Sequence, residues 1–410
     1  VTALDGIRVL ELTTMITGPL GGQLLADLGA DVIKVEEPNT ALFTRVAVSP
    51  PGTPEGRRFS AYWVATNRNK RSMTLDLRVP EAREVLADLV RASDVVVENF
   101  GAHSRRSLGI TEEWGLSVRA DIIWASLSGY GRSGPEQDRD GWDLVAQARG
   151  GLLDMTGFPD GPPVKTGNSS ADYLAGLHLA VGILGALHER NATGKGQTVD
   201  VSLLEPVLAC FDGFPLYSSI TGITPTRSGN FHPAGLPAYS VFPASDGYIA
   251  IGAAGPSFTR FMTLIERTDL DYQLIPPGAE ERRAWFHEVV GAITEWCSTR
   301  TRQELHNVLD RHDIPNEPVR TLAEVWDDPQ LEARDFYLEY EYSSLGTIRT
   351  PGSPIHLSRS PMQLRHVPPD AGEHNDDIIR DVLAYDDERK LALYETGALW
   401  GAMDSASEEG

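Results

Sequence analysis

Hydrophobic and polar positions in this chain switch repeatedly between strand and helix periods, and the order of the switches predicts its architecture. Residues 7–12 (IRVLEL) form a short apolar run that reads as a buried strand. Gly18-Pro19 then opens a helix expected to run to about Leu28, with Gly29 at its end, since proline suits a first turn and glycine a left-handed exit. Residues 30–36 (ADVIKVE) read as a second strand. Further on come a strand through Leu75, a helix from Pro80 with Ala82, Val85, Leu86, Leu89 and Val90 on one side, a strand over 93–100 and another from about 120. Strands that alternate with helices in this way predict an α/β fold with a parallel sheet. The Pro/Gly-rich stretch between Thr40 and Ser60 reads as an irregular surface loop.

The most regular helical pattern lies within residues 165–205. Leu174, Leu177, Leu179, Ala180, Ile183, Leu184 and Leu187 recur at helical spacing, and Ala175, Gly176, Gly182, Gly185 and Ala186 thin the other side. Such a helix is expected to be enclosed almost all round. Ser169 and Ser170 are N-cap candidates, which puts Asp172 in or beside the first turn. There the free amides and helix dipole favour an ionised carboxylate by about 0.3–1 kcal/mol. In partly dry surroundings such a carboxylate can attack an activated carbonyl. The plainer alternative is an acidic residue that serves helix stability alone.

Composition narrows the partners. The 410 residues carry a net charge of −22, which argues against nucleic acid or an anionic membrane as the main partner. Two cysteines, Cys210 and Cys297, do not make a disulfide framework, so free buried thiols are expected. The N-terminus does not read as a secretory signal, and the apolar run at 174–187 is shorter than a membrane span, so the expected location is the cytoplasm. No Cys/His metal spacing or serine-centred nucleophile turn stands out. A dinucleotide-binding reading of the first βαβ unit fails on its fingerprint. Gly18-Pro19-Leu20-Gly21-Gly22 is not Gly-x-Gly-x-x-Gly, and Pro19 lacks an amide that would face pyrophosphate.

Residues 10–38 (LELTTMITGPLGGQLLADLGADVIKVEEP), the Asp172 helix and the following TGKGQTVDVSL together resemble the family III CoA-transferases, which include formyl-CoA transferase, carnitine CoA-transferase and α-methylacyl-CoA racemase. Further blocks agree: ATNRNKRSMTLDL, GNFHPAG, IPNEPV and Gly372-Glu373-His374, so the resemblance covers about residues 4–395. It implies a Rossmann-like large domain built from both chain ends (1–222 and 329–400), an inserted smaller α+β domain (223–328), an acidic tail (401–410) and an interlocked homodimer.

The resemblance also implies that Asp172 is the catalytic aspartate. Met15, Ile16 and Thr17 would line the thioester end of coenzyme A. Leu75, Arg78, Asn99, Phe100 and Gly101 would meet its adenine and phosphates. A family arginine aligns with Ser107, so Arg105 or Arg106, just before it, is expected to supply that charge; Arg139 is a further phosphate candidate. Trp142 stands where the racemases carry a histidine. An indole cannot exchange an α-proton, which favours transfer over racemisation or epimerisation. Trp142 is then expected to pack on the pantetheine chain or acyl group. His232, in a His-Pro turn, is read as structural. The glycine-rich loop of formyl-CoA transferase has no counterpart, so formate and oxalate are not expected as acyl groups. The implied reaction moves CoA from an acyl-CoA to a small carboxylic acid, with no metal or permanently bound cofactor. An intramolecular CoA shift uses the same chemistry, and a non-catalytic CoA-binding protein is the alternative of a different class.

Overall fold

The computed structural model describes residues 2–46, 59–342 and 345–401. Its centre is a six-stranded, all-parallel sheet made of β1 (Arg8–Leu12), β2 (Asp31–Glu36), β3 (Lys70–Thr74), β4 (Val95–Glu98), β5 (Ile123–Ser128) and β6 (Thr198–Ser202). The strand order is β3-β2-β1-β4-β5-β6, so chain direction across the sheet reverses between β1 and β4. In such a sheet ligands sit outside the carboxyl ends of the strands at that reversal. Valines and isoleucines such as Val9, Val32, Ile33, Val95, Val96 and Ile123 are wholly or almost wholly buried, as expected for strands covered on both faces.

The connecting helices are α1 (Thr17–Asp27), α2 (Pro38–Val46), α3 (Ala61–Thr66), α4 (Pro80–Ala92), α5 (Ala102–Leu108), α6 (Glu112–Val118), α7 (Asp143–Arg149), α8 (Leu152–Met155) and α9 (Ser170–Thr193). The expected loop over 40–60 is corrected in its first part: residues through Val46 continue the helix that Pro38 opens, since proline fixes a helical φ in a first turn. The remainder of that stretch, 47–58, lies outside the described residues, as does the expected tail from 402 onward. At 24 residues α9 is long and apolar enough to cross a membrane by length and composition, longer than its apolar run alone indicated. Within the chain Ala171, Ala175, Leu179 and Ile183 pack inward, while Leu177 and Val181 are exposed. Enclosure all round is therefore corrected to burial of one face.

The chain forms two compact units. The first takes residues 1–150, 167–211 and 333–410; the second takes 151–166 and 212–332. In the first, the C-terminal stretch runs beside edge strand β3. Asn69 receives the backbone N–H groups of Arg365 (2.6 Å) and His366 (3.2 Å), and Thr74 N–H donates to Asn375 Oδ1 at 2.9 Å. Helices over Asn375–Asp381 and Asp387–Glu395 then close the core around Met73, Leu75, Leu86 and Trp124. The second unit contains a three-stranded antiparallel sheet, Tyr239–Ala244, Gly247–Gly252 and Asn316–Pro318, packed with helices over Pro256–Leu264, Ala279–Ser298 and Arg302–Asp310. Its hairpin turns through Ser245 and Asp246, so Gly247 opens the second strand. Cys297 is buried in this core, whereas Cys210 is exposed, which corrects the expectation of two buried thiols.

Candidate active site

The turn from β1 into α1 is shaped by close contacts. Met15 has φ of 65°, a left-handed conformation uncommon for a residue with a side chain. Asn99, just past β4, holds this turn from across the sheet reversal: its Oδ1 accepts from Thr14 N–H and its Nδ2 donates to Thr14 O, both at 3.0 Å. Gly18 faces Thr13 and Gly22 faces Glu11 so tightly that a Cβ at Gly22 would lie 1.9 Å from Glu11 Oε2. Helix α1 therefore lies directly on the end of β1.

Beneath α1 sits a buried charge cluster. Glu11 pairs with Lys34 and Lys70, each at 2.8 Å. Lys70 also donates to Pro19 O (2.7 Å) and Asn67 Oδ1 (2.9 Å), which occupies all three ammonium directions. Burial opposes charge on Glu11, but Lys34 and Lys70 outweigh it and hold this carboxyl below its ordinary value. Burial pulls Lys70 down to about 7. Its neighbours Arg68 and Arg71 pair with Asp27 (2.7 Å) and Asp31 (2.6 Å). The positive run at 68–71 thus serves the fold, because each of these charges lies against a carboxylate in the first unit.

Asp172 enters this site from α9. Thr17 Oγ1, at the start of α1, donates to Asp172 Oδ1 at 2.5 Å. Gly176, one turn along α9, permits the approach: a Cβ there would lie 2.9 Å from Thr17 O. The cap of α9 differs from expectation. Ser169 stands at the N-cap without a side-chain cap bond, and Ser170 Oγ donates to Asn168 Oδ1. The capping oxygen is instead Asp143 Oδ1 from α7, which accepts from Ala171 N–H at 2.9 Å and Asp172 N–H at 3.4 Å. Buried Gln147 holds the other oxygen, Oδ2, at 2.8 Å.

The electrostatic expectation for Asp172 is corrected too. Burial raises its carboxyl to about 6; the Thr17 bond opposes this, and the nearby Asp143 charge adds to it. Desolvation outweighs the helix N-terminus, whose amides are already occupied by Asp143. Near pH 7 such a carboxylate is mostly ionised, poorly hydrated and directed by one hydroxyl, a state suited to nucleophilic attack.

Outside the carboxyl ends of β1, β2 and β4 lies a cavity of about 170 Å³. Leu12, Val35, Leu77 and Leu108 provide apolar walls, and Thr14, Glu37, Asn99, Phe100, Gly101 and Ser104 complete the lining. Of the sequence-predicted positions, the structure brings Asn99, Phe100 and Gly101 to this cavity, and Ile16 and Thr17 are buried at the α1 turn with half-buried Met15 before them. Leu75 is wholly buried in the hydrophobic core, and Leu77, two residues on, takes the place on the cavity wall. Strand alternation turns residues 75 and 77 the same way only while the strand continues, and β3 ends at Thr74.

The predicted phosphate-binding arginines are all paired with carboxylates. Arg78 meets Asp76 at 2.7 Å, Arg105 meets Glu112 at 2.7 Å, Arg106 meets Asp138, and Arg139 meets Glu136 at 3.1 Å. Arg139 also lies over the Tyr130 ring. Trp142 is 59% exposed, so it does not fill the core of its own chain. Thr14, Leu77, Ser104 and Leu108 at the cavity, and Asp143 at the α9 cap, were not singled out by sequence reasoning. The i,i+4 pair Asp143/Gln147 was the one legible trace of that cap.

Known proteins share the sequence and fold described above. The profile described as "CoA-transferase family III" matches residues 4–375. A formyl-CoA:oxalate CoA-transferase from Rhodopseudomonas palustris is 33% identical over 99% of both chains. A succinyl-CoA:mesaconate CoA-transferase from Haloarcula hispanica is 36% identical over 87% of this chain and 91% of its own. The crystal structure of a CAIB/BAIF family protein from Brucella suis superposes with a TM-score of 0.80 at 34% identity, over 93% of this chain and 99% of that one. With a sheet of this topology and relatives matched over nearly their whole length, the chain belongs to CoA-transferase family III and is an enzyme of that family.

Proposed function

We propose that the enzyme moves CoA from an acyl-CoA thioester to a small carboxylic acid through covalent intermediates on Asp172. The observation that carries this reading is the half-buried Asp172 carboxylate, held by Thr17 at the α1 turn, whose other end joins the cavity through Thr14. Thr14 and Thr17 are three residues apart, at most about 11 Å of chain. That separation lies within reach of one CoA molecule, with its nucleotide end in the cavity and its pantetheine arm along Met15 and Ile16.

Asp172 attacks the thioester carbonyl and the C–S bond breaks, giving a mixed anhydride and CoA thiolate. The thiolate adds to the aspartyl carbonyl, the donor acid leaves as its carboxylate, and an aspartyl-CoA thioester remains. The acceptor carboxylate attacks that thioester and releases thiolate, which then attacks the acceptor carbonyl of the new anhydride and restores Asp172. Each step exchanges one activated acyl bond for another, so the sequence closes without ATP. Trp142, beside Asp143, carries no base able to move an α-proton, which favours transfer over racemisation. A second copy of the chain is the proposed cover for Leu177 and Val181 on the outer face of α9, consistent with an interlocked dimer.

The test is a panel of donors (formyl-, acetyl- and succinyl-CoA) with oxalate or mesaconate as acceptor, read by mass spectrometry of the Asp172 peptide. A donor-derived adduct at Asp172 is expected. Asp172→Asn is expected to lower transfer by about a thousandfold or more. Turnover retained in that variant would end the covalent reading.

A further inference from the structure

We infer that Asp143 is a positioning residue for the nucleophile: clamped by Gln147, its carboxylate caps α9 from the neighbouring helix and thereby frees and directs the Asp172 side chain toward Thr17. The inference rests on Asp172 being the nucleophile. It begins from the register of α9, in which Ser170, Ala171 and Asp172 are the first three helical residues. A carboxylate in the third position ordinarily folds back to the amides of its own first turn, while a serine N-cap bonds the amides ahead of it. Neither occurs here. Asp143 Oδ1 takes the Ala171 and Asp172 amides, Ser170 Oγ turns to Asn168, and Asp172 Oδ1 accepts from Thr17.

Two carboxylates on one helix end would ordinarily be avoided. In this arrangement the second one supplies both the cap and a fixed negative neighbour, and a carboxylate facing a like charge is the more basic nucleophile. Among the described residues no lysine or arginine pairs with this charge. Thr17 approaches from α1, Asp143 and Gln147 from α7, Tyr173 lies next along α9, and Tyr62 lies near Tyr173. On the other elements packed against α9, the charged groups are engaged elsewhere: Asp27 with Arg68, Arg149 with Glu136, Asp200 with the Arg132 amide, and Glu205 with Ser202. Arg190 of α9 itself pairs with Asp94.

Asp143→Asn removes the charge but keeps an oxygen for the two amides, provided the Gln147 amide turns over; Gln147→Leu removes the clamp and keeps the charge. Both are read in two ways. The first needs no substrate: a pH titration of the infrared difference between each protein and the same protein carrying Asp172→Asn isolates the Asp172 carboxyl. The midpoint is expected to fall by about one pH unit in Asp143→Asn. The second is kcat/KM against pH with the panel donor that labels Asp172 fastest. Its acid limb is expected to move down with the midpoint, and its plateau to drop about tenfold as basicity and aim are lost. Gln147→Leu is expected to lower the plateau by a similar factor while leaving the midpoint in place.

An unmoved midpoint in Asp143→Asn, with far-ultraviolet circular dichroism unchanged, overturns the inference, as does a plateau within about twofold of the parent in both variants. Absence of an adduct on the parent Asp172 peptide sinks the underlying mechanism instead, so the two failures are distinguishable.

Discussion

Asp172 is an aspartate kept where a carboxylate is poorly solvated, and this has a thermodynamic sign. Burial raises its folded value to about 6 from an ordinary 3.8, so between these the folded chain holds a proton the unfolded chain has released. Its contribution is intact below the unfolded value and is lost as pH rises through about 6. Asp172→Asn keeps an oxygen for Thr17 and removes the desolvated charge. It is therefore expected to be more stable than the parent by about 1–3 kcal/mol at pH 7.5, with the gain gone below about pH 4. Urea unfolding at both values measures this; equal stabilities at pH 7.5 would contradict a dry carboxylate. Over the same window, transfer activity is expected to fall as pH drops below about 6, because in the proposed mechanism only the ionised form attacks.

At the scale of elements, the site depends on how closely α9 and α1 approach, and glycine sets that distance. Gly176→Val places methyl groups against Thr17 O and the Leu20 side chain. We expect a loss of about 1–3 kcal/mol from overpacking, and a fall in kcat larger than any change in KM, because the Thr17–Asp172 contact opens. Denaturant melts and steady-state kinetics on one preparation check both. The Glu11–Lys34–Lys70 cluster supports α1 from below through Pro19 O. Lys70→Met leaves Glu11 buried with one cationic partner instead of two, beside the Thr13 hydroxyl, and is expected to cost about 3–5 kcal/mol. The double variant Lys70→Met/Glu11→Gln should cost less than the sum of the singles, a coupling that a double-mutant cycle in urea reads directly. Strict additivity would place these charges outside one network.

Across the first unit, two distant stretches of chain meet at β3. Asn69, at φ of 62°, joins them: its Nδ2 donates to Asp27 (2.9 Å) and Gln363 O (3.0 Å), while its Oδ1 receives the Arg365 and His366 amides. Asn69→Ala leaves these groups without their partners and strains a left-handed backbone, so a loss of more than about 2 kcal/mol is expected. Limited proteolysis is expected to cut residues 360–370 earlier in that variant than in the parent; unchanged cleavage would show that other contacts hold the C-terminal stretch.

Much of this was legible in the chain itself. Period and punctuation located β1, α1, β2, α4 and β4, because buried parallel strands and one-sided helices impose their repeat on consecutive residues. The motif resemblance singled out Asp172 and the Asn99–Gly101 turn. What the sequence could not determine was which partner each polar group would find. The cap of α9 came from Asp143 on another helix rather than from adjacent serines, the positive run at 68–71 met carboxylates inside the fold, and Leu77 rather than Leu75 reached the cavity. Local pattern records whether a residue is to be buried and on which face. Pairing between groups distant along the chain, and the desolvation that raises Asp172 to about 6, exist only once the packed structure brings those groups together and excludes water.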